Sequence, residues 1–213
     1  MRPIISILEG KWYRDSHVTV KDLFSPLFCV WAQGSETACH YEQFTNESAF
    51  RDAIRYSFQR SRPDTIYIGA HGSESGIKGF HNESISRTYV RNSLNLQTGS
   101  TPRGVYFGAC SFGTQSNADY IMSDCKRVLW MAGYDSETDW IDSGVLDLFF
   151  LRHFLFPTPG KGTAMPIDVR ARLGYACKRI RGDMAPLAKR LGLHVYARER
   201  NRVVDLMDAD TDA

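Results

Sequence analysis

The chain has 213 residues, 43% of them hydrophobic and 23% charged, enough for one sizeable domain with a buried core and ordinary for a globular protein. A formal net charge of +2 gives no electrostatic reason to expect nucleic acid or an anionic membrane as partner, and no apolar run approaches the roughly 20 residues of a bilayer span. Five cysteines, an odd number with no C-x-x-C pair, argue against a disulfide framework or a zinc site and fit a reducing cytoplasm.

Ile4 to Leu8 reads as a first strand, since the stretch to Glu9 is too short and too soon acidic for a signal peptide. A helix is predicted over Val20 to Trp31, with Pro26 expected to kink or split it. Ala38 to Phe44 is a second strand. Thr45-Asn46-Glu47-Ser48 supplies cap residues for an amphipathic helix carrying Phe50, Ile54 and Phe58 at i, i+4, i+8. Asp64 to Ala70 is a β-branched and aromatic strand that ends on His71-Gly72. Gly72 to Phe80, rich in Gly and Ser, reads as a small hairpin or a substrate-binding loop. A helix over Ile85 to Leu96 leads to a second such strand, Arg103 to Ala109, which ends on Cys110.

Beyond Cys110 the pattern predicts a helix over Gln115 to Met122, a strand over Arg127 to Ala132, and a long apolar helix over Val145 to Phe156 closed by Pro157-Thr158-Pro159-Gly160. Helices over Ile167 to Arg179 and Met184 to Leu191, a short strand over Leu193 to Ala197 and a solvated acidic tail complete the chain. Alternating strands and helices imply a three-layer α-β-α sandwich around a mainly parallel sheet. The expected organisation is one domain over 1–213, with its core in 1–156 and the last segment completing it.

The two strands that end on His71 and on Cys110 carry the chemistry. In an open parallel sheet, working residues sit just beyond the carboxyl ends of the strands. A histidine and a cysteine there on neighbouring strands can meet despite their distance in sequence, which is what catalysis by a thiol requires. His71 would draw the proton from the thiol and later protonate the leaving amine. Gly72 lets the backbone approach a substrate closely. Its N–H together with that of Cys110 would form an oxyanion hole, worth about 10²–10³ in rate per donor. A helix following Cys110 adds unpaired N–H groups and a dipole that favour a thiolate.

A hydrophobic strand followed by His71-Gly72, and a later one followed by Ala109-Cys110, resembles the caspase–gingipain–separase superfamily of cysteine peptidases (clan CD), and within it the bacterial caspase-like or CHAT-type branch. The match covers Ile4 to Phe156. It departs from the family at Gly108, where an acidic residue or Gln often stands before Ala-Cys. The resemblance implies a caspase-like fold, a His-then-Cys dyad without a third acid, no cofactor and no metal. It also implies protein or peptide substrates, and activation by a small molecule, partner protein or self-cleavage in an antiviral or stress-response system. A competing thiol reading is the nucleophile elbow of glutamine amidotransferases, loosely matched by Gly108-Ala109-Cys110-Ser111-Phe112-Gly113. There the histidine follows the cysteine, which would make His153 or His194 the base.

The segment from Val128 to Ser143 looks like the family's strand beside the specificity pocket, where members that prefer basic residues place an acid. Asp135 best matches that position and would receive an Arg or Lys side chain. Asp139 is a weaker candidate for the same role, and Glu9, at the end of the first strand, could line the pocket. The other reading of these acids is that they cap the helix that follows. Trp12 and Trp140 are candidate pocket walls or core residues. The basic residues from Arg170 to Arg181 form either a solvated helix face or a site for an anionic signal or a partner. The expected function is a cytoplasmic cysteine endopeptidase that cleaves after Arg or Lys. The alternative is a catalytically silent scaffold with the same fold.

Overall fold

A computed structural model describes residues 5–11, 19–31, 39–61, 63–95, 104–158, 164, 166 and 168–208, with the backbone alone for 26–31, 60 and 61. Five adjoining parallel strands make up most of one seven-stranded sheet, with β2 at its edge: β1 (Ile5–Gly10), β2 (Cys39–Phe44), β3 (Thr65–Gly69), β7 (Gly104–Gly108) and β8 (Trp130–Tyr134). Strands β9 (Leu193–Glu199) and β10 (Arg202–Asp205) continue the sheet in the antiparallel sense, giving the order β10-β9-β8-β7-β3-β1-β2. The short strands β4 (Gly72–Ser73), β5 (Gly76–Lys78) and β6 (Ser84–Ser86) form a separate three-stranded sheet just after His71.

Seven helices of the described residues cover the two faces: α1 (Val20–Trp31), α2 (Glu47–Tyr56), α3 (Arg87–Leu94), α4 (Gln115–Asp124), α5 (Trp140–Leu155), α6 (Val169–Asp183) and α7 (Ala185–Leu191). The two-residue period of a strand sorts the buried side chains between them. Ile66, Ile68, Val105, Phe107 and Met131 face a core shared with α2, α3 and α4. Tyr67, Tyr106, Trp130, Ala132 and Tyr134 face the opposite core, built with α1, α5, α6 and α7. Because both faces are covered, the strands read as continuous apolar runs. Burial of one such side chain, Phe107 for example, contributes about 2–3 kcal/mol.

The three-layer, mainly parallel architecture expected from the sequence is present. Local signals act where they were expected: Asn46 Oδ1 accepts from Ala49 N at 2.9 Å and caps α2. Gly192, at φ +61°, closes α7 in the left-handed region that favours glycine. Three elements differ. Helix α1 runs on through Pro26 as one element. Ile85 lies in β6, so α3 begins at Arg87 behind the Ser86 cap. Helix α5 begins at Trp140, because Asp139 caps it one turn earlier than the apolar run suggested. The stretch Gly72 to Phe80 is the expected hairpin, extended by a third strand. Among the described residues, no helix is long and apolar enough to cross a membrane.

Candidate active site

Strands β3 and β7 pair in parallel with Gly69 opposite Gly108, and Ala70 N donates to Gly108 O at 3.2 Å. His71 and Cys110 each stand two residues beyond that last pair, at the same level on neighbouring strands. The close approach continues past them: a Cβ on Gly72 would lie 2.4 Å from Cys110 O and 2.9 Å from Ala109 Cβ, so only glycine fits there. The spacing thus brings His71, Gly72 and Cys110 together at one sheet edge. His71 is exposed, and the partial burial of its ring lowers its pKa below the ordinary 6.5, keeping the imidazole unprotonated further into the acid range. Cys110 is a free, half-buried thiol.

The backbone turns sharply behind the sulfur. Ser111 has φ +55°, an uncommon conformation for a residue with a Cβ, costing about 1 kcal/mol or more. Ser111 N donates to Ser136 O at 3.0 Å and Gly113 N to Tyr134 O at 2.7 Å, so the turn is laced to the end of β8 and the loop that follows. That loop reaches the sulfur itself: Thr138 N donates to Cys110 Sγ at 3.4 Å, and Thr138 Oγ1 lies 3.4 Å from it.

Two polar groups that sequence reasoning missed support these loops from below. Asn117, 1% exposed, donates from Nδ2 to Glu74 O and to Phe112 O, both at 3.0 Å, and so ties the loop after His71 to the turn after Cys110. Its Oδ1 accepts from Arg87 Nη1 at 3.3 Å. Asp147 on α5 is 2% exposed and accepts from Tyr67 Oη at 2.6 Å and Tyr134 Oη at 2.5 Å. Tyr106 Oη joins the cluster by donating to Tyr134 Oη at 3.3 Å. Desolvation raises the Asp147 carboxyl to about 6 against the opposing effect of the tyrosine hydroxyls, and burial beside it drives all three tyrosines well above their usual range. The signal was available: Asp147 is the one acid in the apolar run from Val145 to Phe156, and three strands carry a tyrosine on the same face.

The predicted pocket acids separate. Asp135 is exposed at the end of β8, with His194 Nε2 3.1 Å from its Oδ2. The other ring nitrogen of His194 meets Asp205, and the two carboxylates raise this imidazole to about 9. Asp139 Oδ1 accepts from Ile141 N and Asp142 N at 2.8 and 3.1 Å, capping α5. Glu9 is fully buried; its oxygens accept from Val20 N at 3.0 Å and Tyr41 Oη at 2.6 Å. Trp140 is half-buried at the start of α5, while Trp12 lies outside the described residues. In the basic segment, Arg170 pairs with Glu199, Arg179 with Asp183, and Arg181 donates to Leu206 O. The later histidines are placed differently from His71. His153 lies on α5, and His194 pairs across to Gly133, two strands away from β7. Among the described residues, His194, Asp205 and Asp208 are the group close enough to share a metal ion, and they lie beside β9 and β10.

No family model matches the chain, and no curated protein matches it. Among solved structures, one that matches is the X-ray structure of a secreted C11 cysteine protease from Bacteroides thetaiotaomicron in complex with an irreversible peptide inhibitor. The two chains share 8% identity with a TM-score of 0.49, over 92% of this chain. This chain spans only 66% of that protein's length. A likeness of this size assigns the chain neither a family nor an activity.

Proposed function

We propose that this chain is a caspase-like cysteine endopeptidase of the superfamily its His-Gly and Ala-Cys motifs resemble, with His71 and Cys110 as the catalytic dyad. The observation that carries the reading is the β3–β7 register, whose last pair, Gly69 and Gly108, precedes each of these residues by two positions, with Gly72 against the Cys110 backbone. The Cys110 thiolate adds to the scissile carbonyl carbon, and the N–H groups of Gly72 and Cys110 hold the oxyanion. His71, protonated by the thiol, gives that proton to the amine as the C–N bond breaks, leaving a thioester. Water then attacks the thioester with His71 taking its proton. The peptide acid departs, and the proton returns to the sulfur.

Of the three acids expected at the pocket, Glu9 is buried within the fold and Asp139 caps a helix, so basic specificity rests on Asp135. A substrate Arg or Lys would join His194 as a second cation on the Asp135 carboxylate. The resemblance adds an activating signal in a defence or stress response; the cysteine usage adds a reducing, cytoplasmic setting, and length and element order a single domain spanning 1–213.

The test is a positional-scanning peptide library combined with labelling by an arginyl chloromethyl ketone. Cleavage after Arg or Lys and labelling at Cys110 are expected, both lost in His71→Ala. Cleavage after another residue would overturn Asp135 as the specificity acid and keep the endopeptidase. Absence of cleavage, with Cys110 alkylated by iodoacetamide at one rate whether or not His71 is present, would make the chain a scaffold.

A further inference from the structure

We infer that Thr138 is a positioning residue for the nucleophile, holding the Cys110 sulfur as a thiolate through its main-chain N–H and its hydroxyl. The inference rests on the reading of Cys110 as nucleophile and adds a group outside the dyad. Three atoms of Thr138 surround Sγ: the backbone N and Oγ1, each at 3.4 Å, and the carbonyl oxygen at 3.9 Å. A neutral thiol has one weak proton to give, and the hydroxyl or the carbonyl can take it. A thiolate has none and accepts from both the N–H and the hydroxyl. Bonds to an ionised acceptor are roughly twice as strong as bonds between neutral groups. The arrangement therefore favours the ionised sulfur.

The donors are fixed before any substrate arrives. Asp135 N donates to Gly192 O at 3.0 Å and Ser136 Oγ to Leu191 O at 2.8 Å, anchoring the loop to the end of α7. Ser136 O takes the N–H of Ser111, and Asp139 opens α5, so the loop is held on both sides of Thr138. Preorganised donors of this kind stabilise charge without reorganisation during the reaction. They also approach from the opposite flank to the base. His71 follows β3 and Thr138 follows β8, with β7 and its cysteine between them. His71 would exchange a proton with the sulfur, whereas Thr138 only holds it.

The experiment measures iodoacetamide alkylation of Cys110 across pH by peptide mass mapping in wild type, Thr138→Val, Thr138→Ser and His71→Ala. Burial pushes the thiols of Cys39, Cys125 and Cys177 up to about 12, so these react slowly near neutrality. Thr138→Val keeps the N–H and removes the hydroxyl. Losing one bond to a charged sulfur should lower the thiolate population about tenfold at pH 7. The sulfur's greater intrinsic reactivity offsets about half of this on a logarithmic scale, leaving alkylation about threefold slower. At high pH the order inverts and the variant reacts faster. A merely structural defect does not produce that crossing, and Thr138→Ser should restore the wild-type profile. If Thr138→Val does not fold, Thr138→Ala against Thr138→Ser decides by the same crossing. Coincident profiles in threonine and valine or alanine forms overturn the inference. The dyad stands or falls separately: His71→Ala matching wild type while Thr138→Val slows would sink the base and leave Thr138 in place.

Discussion

Replacing Asp147 with asparagine tests whether a buried charge lies under the candidate site. The carboxylate is fully enclosed and accepts from Tyr67 and Tyr134, yet its pKa is raised from 3.8 to about 6, so desolvation outweighs the hydroxyls. The sign follows from linkage. A folded-state pKa above the unfolded value means the native state binds the extra proton, so that stabilisation is complete below 3.8 and is lost as pH rises through about 6. The gap between 3.8 and about 6, at about 1.36 kcal/mol per unit, makes the loss about 3 kcal/mol by neutral pH. Asparagine removes the charge and can keep the bonds. Its oxygen accepts from Tyr67, and its amide donates to Tyr134 Oη, whose own proton can go to Ser143 O at 3.2 Å. Urea unfolding of both proteins at steps from pH 4 to 7.5 isolates this residue, because other titrations cancel in the difference. Asp147→Asn should gain about 3 kcal/mol on wild type across that range. A difference that does not change with pH would refute the reasoning and return Asp147 to an ordinary carboxyl.

Two further outcomes are expected. Asn117→Ala leaves the carbonyls of Glu74 and Phe112 without their shared donor and should cost about 2–4 kcal/mol in denaturant unfolding; a loss under 0.5 kcal/mol would show that water replaces the amide freely. Imidazole NMR titration of the Cys110→Ala protein should place His71 below 6.5 and His194 near 9. The second value adds a stability consequence of the same sign as that of Asp147, in a higher pH window: the stabilisation from His194 is complete below 6.5 and is lost as pH rises through about 9, a loss that His194→Gln should remove. An ordinary midpoint for His194 would mean that Asp135 and Asp205 do not hold it in solution.

The layers of this protein, and the placing of His71 and Cys110 just beyond two paired strand ends, were legible because both follow from period. Thr65-Ile66-Tyr67-Ile68-Gly69 and Gly104-Val105-Tyr106-Phe107-Gly108 are strands buried on both faces, and such strands run parallel with their working ends aligned. Strand β10 was not legible. Arg202-Val203-Val204-Asp205 is four residues long with charges at both ends, and its pairing with β9, not its own pattern, makes it a strand. Thr138 was invisible for a related reason: a main-chain N–H carries no sequence signal, and its placement depends on where the β8 loop is tied. Asp139 was read with the pocket acids because a cap and a binding carboxylate look alike until hydrogen bonds assign the oxygens.

The tyrosines explain how three distant segments keep their heights relative to one another. Tyr67, Tyr106 and Tyr134 each stand four residues before a part of the site: His71, Cys110 and Thr138. All three hydroxyls converge beside Asp147 on one helix. Sliding one strand by a single residue would turn its tyrosine to the other face and leave a buried hydroxyl or carboxylate without partner. An apolar core would penalise that slip through volume alone; the polar cluster penalises it through hydrogen bonds that only one register completes. The heights of His71, Cys110 and the Thr138 loop are thus tied to a contact that touches none of them. For that reason Asp147→Asn, which retains the bonds, should leave Cys110 alkylation as in wild type, whereas Asp147→Leu, which removes every acceptor, should slow it even where the protein still folds.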